Sequence, residues 1–304
     1  MTNKTYQKQV RLLLSVLPEV AKEACFALHG GTAINLFVRD MPRLSVDIDL
    51  TYVPVEDRAS SLRHIDEALE RTKSRIKTVV AGARVQHKKD IGKLIISGGG
   101  AEIKLEVNLV GRGTIAEPVK MPLCDKAQSE FNVFVAVPVV PIGQVYGGKI
   151  CAALDRQHPR DLFDVKYLLE NEGFSDQVKA GFMLCLLASD RRLHEMIAPN
   201  FQDQRGTLAN QFAGMTSEDF TYEHFEQARE ALVRIIHQNL TSKDKEFLLS
   251  VKNVTPNWSV YDYERFPAVQ WKLLNLQKLK TSNPEKHREQ YEALKKTLDN
   301  LTSA

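Results

Sequence analysis

The alternation of apolar and polar residues divides the chain into a mixed first part and a helical second part. Apolar residues recur near the helical period over residues 5–25, with a kink or restart expected near Pro18, and again over residues 57–74. Short runs rich in apolar and β-branched residues predict strands at residues 78–85, 92–97, 102–109 and 133–140. Beyond residue 142 the spacing predicts helices at residues 143–154, 160–169, 175–188, 225–238, 243–251, 268–279 and 284–301.

The change from mixed to helical pattern predicts a domain boundary. Pro138 and Pro141 coincide with it, and proline interrupts regular backbone pairing. We therefore expect an α/β (α+β) protein with a core domain at residues 1–140 and an all-helical domain at 141–304. The polar segment 199–219 is expected to be a loose connection, and the glycines at 98–100 are expected to join two strands as a hairpin.

The most specific chemistry lies at residues 28–50, LHGGTAINLFVRDMPRLSVDIDL. Gly30 and Gly31 follow a strand-like run, where glycine permits a positive φ angle and close approach of the backbone to a ligand. Thr32 is expected to begin a helix, whose unpaired N–H groups and dipole favour a phosphate. His29 either donates to a phosphate oxygen or is satisfied by the backbone.

Two aspartates follow this turn. Asp47 and Asp49 are separated by one residue in a strand-like segment, so their carboxylates are expected on one face, where they repel each other unless a cation lies between them. Carboxylate oxygens suit Mg²⁺. A D-x-D or G-G-T sequence alone is commonly a solvated strand end or a turn. Together they predict metal-assisted chemistry on a nucleoside triphosphate, with Mg²⁺ or Mn²⁺ as the cofactor.

The order GG-T-A-x-N-L-F…R-x-S-x-D-I-D-L resembles motif I of the nucleotidyltransferase superfamily. More narrowly, it resembles the AbiEii/AbiGii (MenT-like) toxins of type IV toxin–antitoxin and abortive-infection systems. The resemblance implies a nucleotidyltransferase-fold mixed sheet and a C-terminal helical domain that completes the active-site cleft. It assigns Gly30, Gly31, Thr32 and Ser45 to nucleotide binding, and Asp47 and Asp49 to the metal.

A third carboxylate is expected on a neighbouring strand. In the alternating segment 101–110, AEIKLEVNLV, residues Glu102, Lys104, Glu106 and Asn108 share one face. Nucleotidyltransferases often carry an acidic residue on such a strand, which makes Glu106 the first candidate for a further metal ligand and Glu102 the second. The alternative is that this face is simply solvated.

A second group of charged residues lies at 147–165, GGKICAALDRQHPRDLFDV. Arg156 follows Lys149 by about two helical turns, so the two can share a face. Asp161 is in the first turn of the next predicted helix, where capping alone would favour it. The resemblance assigns Lys149 to the triphosphate and Asp161 to orienting either Lys149 or the acceptor, with Asp164 as the alternative for that role.

Composition adds few constraints. The chain has 304 residues, 43% hydrophobic and 26% charged, with a net charge of +3 that permits nucleic-acid binding without requiring it. It has four widely spaced cysteines, no apparent signal peptide and no apolar run long enough for a membrane span, so we expect a cytoplasmic protein without membrane association.

Three further features have two interpretations each. The basic residues between 71 and 77 are either a solvated helix end or a phosphate site. The late aromatic residues either pack together or stack an RNA base: Trp258, Tyr261, Tyr263, Phe266 and Trp271. The basic helix near the C-terminus either lies on a phosphodiester backbone or is a solvated face.

The favoured hypothesis is a toxin that transfers a nucleoside monophosphate from an NTP to an acceptor and releases pyrophosphate. The resemblance implies that the acceptor is the 3′ end of tRNA. It also implies a cognate AbiEi-like, winged-helix antitoxin, and we expect the toxin itself to be a monomer. The alternatives are a small-molecule nucleotidyltransferase of the antibiotic-modifying type and a non-catalytic nucleotide-binding module.

Overall fold

The computed structural model describes residues 4–301, which form two compact units. One unit comprises the described residues up to Val145 together with Ala209–Asp219. The other comprises Tyr146–Leu208 together with the described residues from Phe220 onward. The first unit contains the sheet, and the second is helical.

A mixed seven-stranded sheet forms the centre of the first unit. Its order is β3-β4-β5-β2-β1-β7-β6; β2 is parallel to β5 and β1 is parallel to β7, whereas the other neighbours are antiparallel. The strands are β1 (Phe26–His29), β2 (Asp47–Tyr52), β3 (Arg84–Lys88), β4 (Lys93–Gly98), β5 (Ala101–Asn108), β6 (Val119–Pro122) and β7 (Ala136–Val139). The predicted glycine hairpin joins β4 to β5, with Gly98 opposite Ala101.

The helices of the first unit are α1 (Lys4–Val20), α2 (Gly30–Ala33), α3 (Arg58–Val79) and α4 (Asp125–Phe131). A π-helical turn, Ile34–Val38, continues α2, and a 3-10 turn, Lys89–Ile91, links β3 to β4. The apolar side of α1 is buried, and the helix continues through Pro18, so the expected restart there is absent. Sequence periodicity missed α4 and the short, mostly exposed strand β6, which show little alternation.

Helix α3 is longer than predicted. It ends at Val79, two residues inside the strand predicted at 78–85, and β3 begins only at Arg84. Ile76 continues the buried stripe of the helix, while Arg71 and Arg75 pair with Glu23 at 2.8 Å and 2.7 Å. These ion pairs to a neighbouring segment hold the last turns in helical form. Two residues of the basic run are therefore paired with a buried carboxylate, whereas Lys77 is exposed in the last turn, as expected for a solvated helix end.

The remaining nine helices of the described residues lie in the second unit, apart from the first four residues of the first of them, which precede Tyr146. A π-helical turn, Leu208–Phe212, follows the short helix at residues 205–207. Side chains of Ser175, Thr221, Thr241 and Asn283 cap four of these helices by accepting backbone N–H bonds. The helices are α5 (Ile142–Arg156), α6 (Pro159–Glu170), α7 (Asp176–Ala188), α8 (Leu193–Ile197), α9 (Arg205–Thr207), α10 (Tyr222–Asn239), α11 (Ser242–Lys252), α12 (Pro267–Ser282) and α13 (Pro284–Asp299). Within residues 4–301, none has the length and apolar character needed to cross a bilayer.

The segment Ala209–Asp219 belongs to the first unit and supports the chain before β2. Leu44 N donates to Met215 O at 2.7 Å, and Thr216 Oγ1 donates to Pro42 O at 2.8 Å. The expectation of a loose connection is therefore wrong for this segment. Its backbone and a threonine hydroxyl bond to residues far away in sequence, which polarity alone does not reveal.

Close packing of α5 against α7 depends on Gly147. A Cβ atom on Gly147 would overlap the backbone of Gly181 and the N atom of Phe182. We expect Gly147→Ala to lower the free energy of unfolding by about 1–3 kcal/mol, because one of two packed helices must shift. Chemical denaturation monitored by circular dichroism measures this change.

The next residue is a matched control. A Cβ atom on Gly148 would meet only Cys185 Sγ, at an ordinary 3.9 Å. Gly148→Ala should be neutral or stabilising because alanine favours the helical backbone. Equal losses at both positions would contradict the close contact.

Candidate active site

The polar face of the sheet carries the D-x-D pair. In β2, Ile48 and Leu50 are buried while Asp47 and Asp49 are partly exposed, so the two carboxylates share the opposite face. Strand β5 alternates in the same way, with Glu106 on its polar face. Period-two spacing in the sequence is sufficient to predict this arrangement.

Polar and charged side chains from four strands form a row through Asp49. In the strand register, Asp49 is opposite His29 of β1 and Glu106 of β5, and Glu106 is opposite Lys93 of β4. Lys93 Nζ lies 2.5 Å from Glu106 Oε1. Lys93 was missed by sequence reasoning, although counting back from the glycine hairpin pairs it with Glu106.

The donors available for a metal are therefore two aspartates with a glutamate beside them. Glu106 is adjacent to Asp49, but its carboxylate is engaged by Lys93. Within the described residues, no three His, Cys, Asp or Glu side chains are grouped closely enough to hold a metal ion. A pair of carboxylates still fits Mg²⁺, which keeps several waters and commonly takes one or two carboxylates plus substrate phosphates.

The glycine turn lies directly against the carboxylate of Asp49. Gly30 has a φ of +74°, and a Cβ atom there would collide with Asp49 Oδ2. A Cβ atom on Gly31 would lie 2.8 Å from Arg43 Nη2 and 3.1 Å from Ser45 Oγ. Gly30 is needed because of its positive φ angle and the carboxylate beside it, whereas a side chain at Gly31 would have to displace the buried Arg43 guanidinium.

Helix α2 begins at Gly30, which corrects the expectation that Thr32 begins it. Glycine can adopt the positive φ that turns the chain from β1 directly into a helix. Thr32 is fully buried, and its Oγ1 contacts Ser45 Oγ at 3.0 Å and Asp47 O at 2.5 Å. Ser45 is also buried, so these two hydroxyls join the turn to β2.

His29 is bound by a side chain rather than by the backbone alone. Its Nδ1 lies 3.0 Å from Thr51 Oγ1, on the strand that carries the aspartates. This contact orients the imidazole beside Asp49, its neighbour in the register.

A second charged cluster lies in the second unit. Lys149 Nζ contacts Asp161 Oδ1 at 2.8 Å and Asp164 Oδ2 at 3.1 Å, and all three side chains are buried. Arg156 Nε contacts Asp161 Oδ2 at 2.6 Å. The cap of α6 is His158, whose Nδ1 accepts from Arg160 N. The Asp161 carboxylate therefore binds Lys149 and Arg156 instead of capping the helix. The sequence left open which of the two aspartates contacts Lys149, and the structure shows that both do.

Acid should weaken this cluster. Burial alone would raise the pKa of Asp161, but Lys149 and Arg156 outweigh it and hold that pKa well below its usual range. The carboxylate therefore adds stability that is complete above about pH 4, the unfolded value, and is lost as pH falls toward the folded pKa. We expect the free energy of unfolding to fall less steeply between about pH 5 and 2 in Asp161→Asn than in the wild type. Parallel denaturation curves across this range would contradict the assignment.

Most of the late aromatic residues pack together in the second unit. Phe247 is central, with ring centroids 6.1 Å from Trp258, 5.0 Å from Tyr261 and 6.4 Å from Tyr263. Trp271 differs, because 54% of it is exposed. The last helix, α13, buries His287, Leu294 and Leu298 and leaves its lysines largely solvated.

Comparison with known proteins agrees with the geometry. The model of a family described as nucleotidyl transferase AbiEii toxin, type IV toxin–antitoxin system, matches residues 11–275. Among solved structures, the fold is similar to that of MenT4, a nucleotidyltransferase toxin from Mycobacterium tuberculosis H37Rv. The TM-score is 0.63 at 13% identity, over 90% of this chain and 95% of MenT4. No curated protein sequence matches the chain.

Proposed function

Because the chain belongs to the AbiEii family of nucleotidyltransferase toxins of type IV toxin–antitoxin systems, we propose that it transfers a nucleoside monophosphate from an NTP to the 3′ end of tRNA. The observation that carries this proposal is the contact of the Gly30–Gly31 backbone with the β2 segment that bears Asp47 and Asp49. It places amide groups that suit phosphate beside carboxylates that suit a divalent cation.

The reaction follows from these groups. The acceptor hydroxyl passes its proton to water and its oxygen bonds to the α-phosphorus, while the bond from that phosphorus to the pyrophosphate oxygen breaks and pyrophosphate leaves. Asp47 and Asp49 would hold Mg²⁺ or Mn²⁺, which when bound supplies positive charge to the triphosphate. The N–H groups of the first turn of α2 would bind phosphate oxygens, since such groups have no partner within a helix.

The other predicted residues take supporting roles in this proposal. Thr32 and Ser45 are buried, so their hydroxyls position the turn rather than reach the nucleotide. Lys149 is buried as well, so we propose that it offsets charge on the triphosphate through its electrostatic field, with Asp161 and Asp164 holding its ammonium. Glu106, paired with Lys93, would tune the field at Asp49 and is the further candidate ligand.

The family assignment also implies an antitoxin partner. We propose that this partner is a winged-helix protein of the AbiEi type and that the toxin itself is a monomer. Co-expression of the gene adjacent to that of the toxin should relieve growth arrest. Size-exclusion chromatography with light scattering measures the mass of the toxin alone and of its complex with the antitoxin.

Labelled nucleotides test the transfer reaction. The protein is incubated with each NTP, labelled at the α- or the γ-phosphate, together with Mg²⁺ and total tRNA. Label should pass to RNA only from the α position, and chelation of the metal should stop it. Periodate treatment of the tRNA, which destroys the terminal 2′,3′-diol, should also stop it. Transfer of γ-label, or unchanged labelling of oxidised tRNA, would contradict the proposal.

A further inference from the structure

A separate cavity in the second unit contains two lysines. It has a volume of about 170 Å³ and is lined by residues of α7, α11, α12 and α13 and by the connection after α7. Lys252 and Lys272 both line it, together with Trp271. None of these residues belongs to the D-x-D site or to the Lys149 cluster.

Both ammonium groups have neutral partners. Lys252 is buried and donates to Gln290 Oε1 at 2.7 Å. Lys272 donates to the carbonyl oxygens of Ser189 and Arg191. Within residues 4–301, neither lysine forms an ion pair with a carboxylate. Lys272 is half-buried, and Asp190 on the wall of the cavity offsets part of its charge. Buried charges are ordinarily paired, so the buried Lys252 beside it still leaves an excess of positive charge in the cavity.

The two lysines also oppose each other. Burial, together with the positive charges of Lys272 and Arg192, lowers the pKa of Lys252 to about 8. Burial likewise lowers the pKa of Lys272 to about 8, against the opposing effect of Asp190. An anion in the cavity would satisfy both ammonium groups and remove the cost of their proximity.

The size of the cavity restricts the anion. At about 170 Å³ it is smaller than the roughly 300 Å³ from which whole-ligand sites begin. It has room for a phosphate group, which occupies the space of a few waters at about 30 Å³ each, but not for an entire nucleotide. A terminal phosphate carries about −1.5 to −2 charges at pH 7, which matches two ammonium groups better than one carboxylate does.

The residue at the rim indicates what is attached to that phosphate. Trp271 lines the cavity and is 54% exposed, so its indole offers a flat apolar surface beside the opening. Aromatic side chains in such positions stack nucleic-acid bases without sequence preference. We propose that this cavity binds the terminal phosphate of a nucleotide, with the attached base on Trp271. The nucleotide is either the 5′-phosphorylated end of an RNA or a free mononucleotide.

Fluorescence of Trp271 tests this directly. The chain has two tryptophans, and Trp258→Phe leaves Trp271 as the sole reporter. In this background we expect saturable quenching by a 5′-phosphorylated oligoribonucleotide and much weaker quenching by the same RNA with a 5′-hydroxyl. A second comparison, of AMP with adenosine, tests the free nucleotide. Quenching by the 5′-phosphorylated RNA but not by AMP assigns the site to an RNA end. Quenching by the RNA and by AMP assigns it to a terminal nucleotide in either form.

Matched lysine variants identify the cavity. Lys252→Gln and Lys272→Gln should each weaken binding by at least about tenfold, the effect of losing one charge-assisted hydrogen bond. Lys278→Gln removes the same charge from an exposed position of α12 outside the cavity, and should leave affinity unchanged. Equal losses in all three variants would indicate a diffuse charge effect and overturn the proposal.

A second measurement does not depend on the lysine variants folding. In the Trp258→Phe protein, inorganic phosphate should change the emission of Trp271 relative to chloride at equal ionic strength, a local signal that phosphate bound at the turn of α2 does not give. No difference between the two salts would overturn the proposal, as would tighter binding of an acidic peptide than of 5′-phosphorylated RNA. Asp49→Asn should bind as the wild type does, so loss of nucleotidyl transfer and loss of this site are distinguishable.

Discussion

Asp49→Asn should abolish nucleotidyl transfer while leaving the fold intact. The amide keeps the shape of the side chain beside Gly30 but removes the charge that would help hold the cation. We expect a loss of at least about 10²–10³-fold in turnover, the range for removing one preorganised electrostatic group from a reaction centre. Initial rates of α-label transfer measure this, and growth arrest on induced expression should disappear with it.

Asp90→Asn is the matched control. Asp90 is an exposed carboxylate of the same unit, in the turn between β3 and β4, outside the D-x-D row. It should retain full transfer and full toxicity. Growth arrest that persists in a folded, soluble Asp49→Asn protein would exclude the catalytic mechanism and favour toxicity through binding.

Lys149→Met should cause the largest loss of stability. It removes the ammonium that two buried aspartates share, at 2.8 Å from Asp161 and 3.1 Å from Asp164. Removing one side of a buried ion pair leaves charge without compensation, so we expect a decrease of about 3–5 kcal/mol in the free energy of unfolding. Urea denaturation of the purified variant measures it.

Lys166→Met tests whether the loss of stability in Lys149→Met comes from burial of the ion pair, and should itself cost little. Lys166 forms a surface pair with Glu170 at 3.1 Å on α6, and such pairs contribute at most about 1 kcal/mol.

The double variant Lys149→Met with Asp164→Asn should regain part of the lost stability, because it removes the charge left behind. No recovery in the double variant would show that the loss comes from packing instead.

Local patterns in the sequence were enough to predict the strand that carries Asp47 and Asp49, the hairpin at glycines 98–100 and most of the helices. Each depends on a short-range rule: period-two alternation, glycine turns, or an apolar stripe repeated every three to four residues. The same rules failed where distant partners decide, as in α3, whose last turns are held by Glu23.

By itself the sequence therefore determined which residues share a strand face or a helix face, because backbone geometry sets those spacings. Only the tertiary structure decided which charges meet. Asp49 against Gly30, and Asp161 and Asp164 on one ammonium, are contacts across separate elements. The same is true of the two lysines enclosed in one cavity by α11 and α12. Such contacts depend on how the elements pack, which is a sum of many weak interactions over the whole unit and has no short-range signature.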